Sequence, residues 1–198
     1  SAEILEWDKD AHLEEECARL KNFFEYARRK SCFNKSVLYD NKIITVGNIK
    51  LQFSLLNSAP FSTRKKDNKE LHYFPSFIGE KIERSPDADF KISVMHHSYE
   101  WCDWDTKQML KKVFANDDVT FFGHDHSAEM VSLTTTAGSG LRIIMGGEFT
   151  LDTDAECAFN AIVYDHDAQI IERYEFVWNL DAQLFIKKAH PDIVTRRN

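Results

Sequence analysis

Two apolar runs that end in histidines dominate the hydrophobic pattern of the chain. Residues 91–97 read Lys-Ile-Ser-Val-Met-His-His, and residues 119–126 read Val-Thr-Phe-Phe-Gly-His-Asp-His. Short runs rich in apolar and β-branched residues are typical of strands that are buried within a sheet. The pattern therefore predicts two buried strands, each of which carries histidines to the edge of a sheet.

The residues between these runs, 104–114, have the spacing of an amphipathic helix. Four apolar residues fall on one stripe, with lysines opposite: Met109, Leu110, Val113 and Phe114. The order strand, helix, strand predicts a βαβ crossover, which places two parallel strands side by side. Open α/β sheets bind their ligands at the carboxyl ends of such strands. Those ends carry four of the eight histidines, namely His96, His97, His124 and His126.

Four histidines at two neighbouring strand ends predict a metal site. Neutral imidazole is a ready ligand for Zn, Mn and Fe. His124 and His126 are two residues apart, so an extended chain would turn both imidazoles to the same side, and Gly123 would let the backbone approach closely. The alternative is that carbonyl groups or water satisfy these side chains. That alternative suits a lone histidine better than four at coupled strand ends.

Other segments extend the α/β pattern. An apolar stripe at helical spacing predicts a helix near the start of the chain: Leu13, Cys17, Leu20, Phe23, Phe24 and Ala27. The runs 159–164 and 169–178 are strand-like, and Asp-His-Asp at 165–167 reads as the hairpin turn between them. Tyr99, Trp101 and Trp104 follow the first histidine run directly. They would either line a pocket at the site or anchor the next helix.

Composition narrows the class of protein without naming a function. The hydrophobic content of 43%, with fifteen Phe in 198 residues, suffices for one core. A net charge of −7 argues against a broadly basic nucleic-acid surface. The sequence has no apolar stretch of membrane-spanning length and no signal-peptide pattern. Four scattered cysteines fit reduced thiols, so we expect a soluble, cytoplasmic protein: Cys17, Cys32, Cys102 and Cys157.

The two histidine runs, 94–97 and 121–126, resemble the last two metal-binding motifs of the calcineurin-like metallophosphoesterases. The resemblance implies an α/β fold, a β-sandwich flanked by helices, and a dinuclear Mn, Fe or Zn centre that hydrolyses phosphomonoesters or phosphodiesters. It implies that His96 and His124 bind one ion and that His126 binds the other. His97 would lie beside the ions without binding them directly.

The resemblance covers most of residues 43–178 but lacks the family's earlier motifs. Runs 49–59, 141–147 and 158–165 are similar to strands around the later motifs. The family normally starts with Asp-x-His, then Gly-Asp-x-x-Asp and Gly-Asn-His; this chain has no Gly-Asp, and its Gly47-Asn48 runs into Ile49. Asp10-Ala-His12 precedes helical sequence and reads as a helix start.

We therefore expect a metallophosphoesterase-like domain that is incomplete at its N-terminal side. It would occupy residues 1–178, including a helical lead-in at 10–31, and residues 179–198 would form a C-terminal tail or linker. If a first half is absent, some Phe side chains would lie on an uncovered face, and we expect self-association through that face.

The functional prediction follows from these motifs. The parent protein would hydrolyse a phosphate ester with two divalent metal ions, and this chain alone would bind metal weakly and turn over little or nothing. Nucleic acid would enter only as a substrate, and no membrane partner is expected. One alternative is a non-catalytic regulatory or binding module that retains the fold. Another is a complementing chain that supplies ligands to a second polypeptide.

Overall fold

A computed structural model describes residues 18, 21–30, 38–59, 82, 84–124, 130–134, 140–147 and 157–195. The helices and strands, in chain order, are α1 (Lys21–Arg29), β1 (Tyr39–Val46), β2 (Ile49–Leu56), β3 (Phe90–Met95), α2 (Trp104–Phe114), β4 (Val119–Phe122), β5 (Met130–Thr134), β6 (Gly140–Met145), β7 (Ala158–Asp165), β8 (Ile170–Asn179), β9 (Leu184–Lys187) and β10 (Asp192–Thr195). None of the helices in this part of the chain is long and apolar enough to cross a bilayer.

The first sheet has six strands in the order β1-β2-β3-β4-β6-β5. Its inner pairs are parallel: β2 with β3, β3 with β4, and β4 with β6. An antiparallel pair lies at each edge of the sheet, β1 with β2 at one and β5 with β6 at the other. Helix α2 joins β3 to β4, which confirms the predicted βαβ crossover. Leu110, Val113 and Phe114 of α2 are buried in the same cluster as Phe122 of β4, so the predicted apolar stripe is the face that covers this sheet.

The second sheet is antiparallel and packs on the other face of the first. Its order is β10-β8-β7, with β9 also paired to β8. Ile171 of β8 is fully buried in a cluster with Phe90, Ile92, Val119 and Ile144 of the first sheet. The fold is therefore α/β with a two-sheet sandwich covered by a helix, which confirms the predicted fold class.

Residues 179–195 form strands where the sequence analysis expected a tail or linker. Strand β9 pairs with β8 through Phe185 and Trp178, whose rings lie 5.0 Å apart. Strand β10 pairs with the first residues of β8, on the same edge as β9 and opposite β7, and there Asp192 accepts from the Arg173 guanidinium. The polar composition that suggested a linker comes from short strands with one exposed face and from this ion pair. Residue 178 as a domain boundary stays a prediction.

An ion pair between Arg84 and Asp117 contacts both the first sheet, at Ser54 and Ser93, and helix α2, at Val113. Asp117, whose side chain is inaccessible to solvent, accepts from Ser93 Oγ at 2.6 Å and from Arg84 at 3.2 Å. Arg84 also donates to Ser54 Oγ and to the Val113 carbonyl. Burial raises the pKa of Asp117 to about 6 despite the opposing effects of Arg84 and Ser93, and burial also lowers the pKa of Arg84. Burial therefore disfavours the ionised form of Asp117 by more than Arg84 and Ser93 favour it.

The close approach of the two sheets at Gly147 predicts a destabilising substitution. A Cβ at Gly147 would lie 2.6 Å from the Ala158 carbonyl oxygen and 2.9 Å from its Cβ. We expect Gly147→Ala to lower the free energy of unfolding by about 1–3 kcal/mol in urea titrations. Gly146→Ala is the matched control, because its Cβ would meet only the Phe122 carbonyl oxygen, at 3.5 Å. Equal free energies of unfolding for the two variants would contradict the predicted clash between a side chain at position 147 and Ala158.

The raised pKa of Asp117 predicts a pH dependence of stability. Because the folded protein holds this proton more tightly than the unfolded chain, the contribution of Asp117 is greatest below pH 3.8 and declines as pH rises through about 6. Relative to Asp117→Asn, the wild-type free energy of unfolding should fall by up to about 3 kcal/mol across that window. Urea titrations at several pH values measure the difference, with the exposed Asp167→Asn as control. A flat difference would rule out the raised pKa.

Candidate metal site

Parallel pairing of β3 and β4 brings the two histidine runs together. Met95 and Phe122, the last residues of these strands, are partners in register. The Gly123 N–H then donates to the His96 carbonyl at 2.9 Å, so the pairing continues one residue beyond the strands. His96 directly follows β3 and His124 comes two residues after β4, so the two neighbouring strands bring these histidines together, as the sequence predicted.

Three imidazoles lie within ligand reach of one another. His96, His97 and His124 each offer a ring nitrogen, and these atoms all lie within 4.8 Å of one another. His96 Nε2 and His124 Nδ1 lie 3.2 Å apart. His96 is exposed, His124 is half-buried and His97 is buried. Within the described ranges, no Asp, Glu or Cys joins this cluster, and imidazole donors of this kind fit Zn, Mn or Fe.

The backbone around Gly123 and His124 is shaped for this contact. His124 has a φ of 63°, in the left-handed region that residues with a side chain rarely occupy. A Cβ on Gly123 would lie 3.1 Å from His96 Nδ1, closer than most such contacts in proteins. Sterically costly backbone of this kind tends to occur at functional sites. The expected role of Gly123 in close backbone approach is therefore confirmed.

Ser58, a residue that the sequence analysis missed, forms hydrogen bonds with His97. His97 Nδ1 lies 2.7 Å from Ser58 Oγ, and the His97 backbone N–H donates to the same oxygen at 3.2 Å. Burial, and then the nearby His96 and His124, lower the pKa of His97 to about 4, so its imidazole is neutral at pH 7. Ser58 follows β2, the parallel neighbour of β3. Ser58 therefore lies at the carboxyl end of a third parallel strand, and this position in the sequence could have identified it as a candidate site residue.

The three aromatic residues after the first histidine run have different roles. Tyr99 is 2% exposed and packs on Phe114 and Phe122, so it anchors helix α2 to the sheet. Trp101 lies edge-on against His124, with ring centroids 4.6 Å apart. Trp104 is 71% exposed at the start of α2. Both predicted roles therefore occur, the anchor at Tyr99 and the contact with the site at Trp101.

Other predicted residues lie away from the cluster or outside the described ranges. His126, predicted to bind a second ion, lies outside the described residues, as do Asp10 and His12. The 165–167 segment leads into the turn between β7 and β8, where Asp165 accepts from the Ala168 N–H, so the predicted hairpin is confirmed. Gly47 occupies the turn between β1 and β2, far along the chain from the histidines. The assignment of ions to individual histidines stays a prediction.

Comparison with solved structures gives several distant matches. Vps29 from Entamoeba histolytica, solved with Zn²⁺, has a TM-score of 0.36 and 13% identity, over 80% of this chain and 63% of that one. A hypothetical protein from Thermus thermophilus has a TM-score of 0.36 and 12% identity, over 79% of this chain and 62% of that one. Vps29 from Cryptosporidium parvum has a TM-score of 0.36 and 10% identity, over 86% and 76%.

These likenesses are distant and cover only part of each solved structure. The chain spans less than two thirds of the length of the first two structures. At such TM-scores and identities the likeness carries no argument about this site. No protein-family model matches the sequence, and none of the curated proteins matches it.

The contact between Gly123 and His96 predicts a variant that weakens metal binding without unfolding the protein. In Gly123→Ala the new methyl group would crowd His96 Nδ1 at 3.1 Å and displace the His96 ring by a few tenths of an ångström. We expect the affinity for Zn²⁺, measured by isothermal titration calorimetry, to fall by about fivefold or more. Gly146→Ala should bind Zn²⁺ as the wild type does. Unchanged affinity in Gly123→Ala would show that His96 does not contribute.

Proposed function

We propose that the parent protein hydrolyses a phosphate ester with divalent metal ions and that this chain supplies histidine ligands for them. The observation that carries the proposal is the 3.2 Å separation of His96 Nε2 and His124 Nδ1 at two adjacent parallel strand ends. Two imidazole nitrogens at this distance share either a hydrogen or a metal ion, because otherwise their lone pairs would face each other. The motif resemblance supports the second alternative, an ion.

The proposed roles follow from the position of each side chain. His96 and His124 would hold one ion, and His126 would hold the other. Such ions, when bound, polarise a phosphoryl oxygen and lower the pKa of water. The exposed edge of His96 leaves the site open to substrate, while Trp101 shields one side of the His124 ring from water. His97 contributes no positive charge at neutral pH.

A second candidate function is a non-catalytic module that binds a single ion. The observation that favours it is the composition of the described cluster, which contains three imidazoles and no carboxylate. A bridging carboxylate is what normally holds two cations near each other and offsets their charge. Such a module would bind Zn²⁺ in a regulatory or binding role and would not hydrolyse phosphate esters.

Metal binding by the chain itself is tested with a histidine variant. We expect the wild type to bind one Zn²⁺ in isothermal titration calorimetry and His124→Ala to bind it at least about tenfold more weakly, because one of two direct ligands is lost. His190→Ala is the matched control, since His190 is exposed between β9 and β10. Equal Zn²⁺ affinity in His124→Ala and the control would overturn the metal site.

Hydrolysis separates the two candidate functions. In Mn²⁺ the parent protein should hydrolyse bis-p-nitrophenyl phosphate, and His124→Ala should abolish that turnover. The isolated chain is expected to show little or none. Metal binding without turnover in the parent protein would favour the single-ion module, and turnover that survives in His124→Ala would place the active site elsewhere.

A further inference from the structure

Ser58 and His97 form a buried pair at the third strand end of the site. Ser58 is 1% exposed and His97 is 5% exposed. Ser58 Oγ lies 3.2 Å from the His97 backbone nitrogen and 2.7 Å from the Nδ1 atom of the same residue. One hydroxyl group therefore contacts both the backbone and the ring of His97.

The protons at this contact can be assigned by counting donors and acceptors. A serine hydroxyl has one hydrogen to donate and two lone pairs that accept. The His97 backbone N–H uses one lone pair of Ser58 Oγ. The hydroxyl hydrogen also needs an acceptor, because buried polar groups are almost always hydrogen-bonded. In the part of the chain that the structure describes, the acceptor within reach is His97 Nδ1.

We infer that Ser58 is a positioning residue that holds His97 in the tautomer with its proton on Nε2, so that His97 donates a hydrogen bond to an oxygen of the phosphate ester. In the opposite tautomer, Nδ1–H would face Ser58 and the buried hydroxyl hydrogen would have no acceptor in the described residues. An imidazole that carries its proton on Nε2 and accepts through Nδ1 has no lone pair left for a metal ion. His97 is then a donor beside the ions.

The location of the ring suits that role. Its centroid lies 4.7 Å from the centroid of His96 and 4.5 Å from that of His124, so a group held by those two residues is within its reach. A neutral N–H donor that is fixed before the substrate arrives stabilises developing negative charge on oxygen. This inference rests on the proposed function only in naming phosphate as the acceptor. The tautomer itself is a property of the metal-free chain.

The tautomer is read directly from long-range ¹H–¹⁵N spectra of the metal-free protein. We expect Nε2 of His97 to carry the proton in the wild type, a mixture of tautomers in Ser58→Ala, and a return to one tautomer in Ser58→Thr, which restores the hydroxyl. Ser132→Ala, at an exposed position of β5, is the control for substitution alone. A proton on Nδ1 in the wild type, or an unchanged spectrum in Ser58→Ala, would overturn the inference.

Zn²⁺ and inorganic phosphate separate this inference from the proposed function. Ser58→Ala should bind Zn²⁺ as the wild type does but should bind phosphate about threefold or more weakly in the Zn²⁺-loaded state. A fall in Zn²⁺ affinity, with loss of the Nε2 proton of His97 on metal addition, would make His97 an ion ligand and overturn the inference. Failure of the wild type to bind Zn²⁺ would overturn the proposed function and leave the spectra as the test of the tautomer.

Discussion

The parallel pairing of β3 and β4 is the constraint on which the site depends. It places Met95 beside Phe122, and the hydrogen bond from Gly123 to the His96 carbonyl extends the register past the strand ends. A shift of one residue would separate the imidazoles, because successive side chains point to opposite faces of a sheet. Helix α2 makes the parallel arrangement possible, and its buried stripe fixes the crossover to the sheet.

The two buried polar pairs described above differ in their energetic cost. The Arg84–Asp117 pair lies near the start of β4 and is costly, because burial raises the pKa of the carboxyl to about 6. The Ser58–His97 pair lies at the opposite, carboxyl ends of the strands, and both its members are neutral at pH 7. Neutral pairs cost less to bury than charged ones. The site thus gains a fixed side chain without a buried charge next to its proposed cations.

Much of the fold could be predicted from periodicity. The stripe on α2 and the apolar runs of β3 and β4 identified the crossover, because buried strands and amphipathic helices have distinct periods. The strands β9 and β10 were missed, since short strands with exposed Ile186 and Ile193 have the composition of a linker. Their pairing with β8 depends on distant partners that local sequence does not reveal.

The candidate site was predicted less completely than the fold. His96 and His124 followed from strand order, and Gly123 from the need for close approach. Ser58 lies 39 residues from His97 in the sequence, and only the position of β2 beside β3 brings them together. The left-handed backbone at His124 is likewise a local departure from the preferences of the sequence, as is common where structure serves a site.

The most direct test of the account is a crystal structure of the chain grown with Zn²⁺, with anomalous data collected at the zinc absorption edge. The account predicts one anomalous peak about 2.0–2.1 Å from both His96 Nε2 and His124 Nδ1, with Ser58 still in contact with His97 Nδ1. A peak bound to His97 in place of either residue, or no peak between His96 and His124, would contradict it.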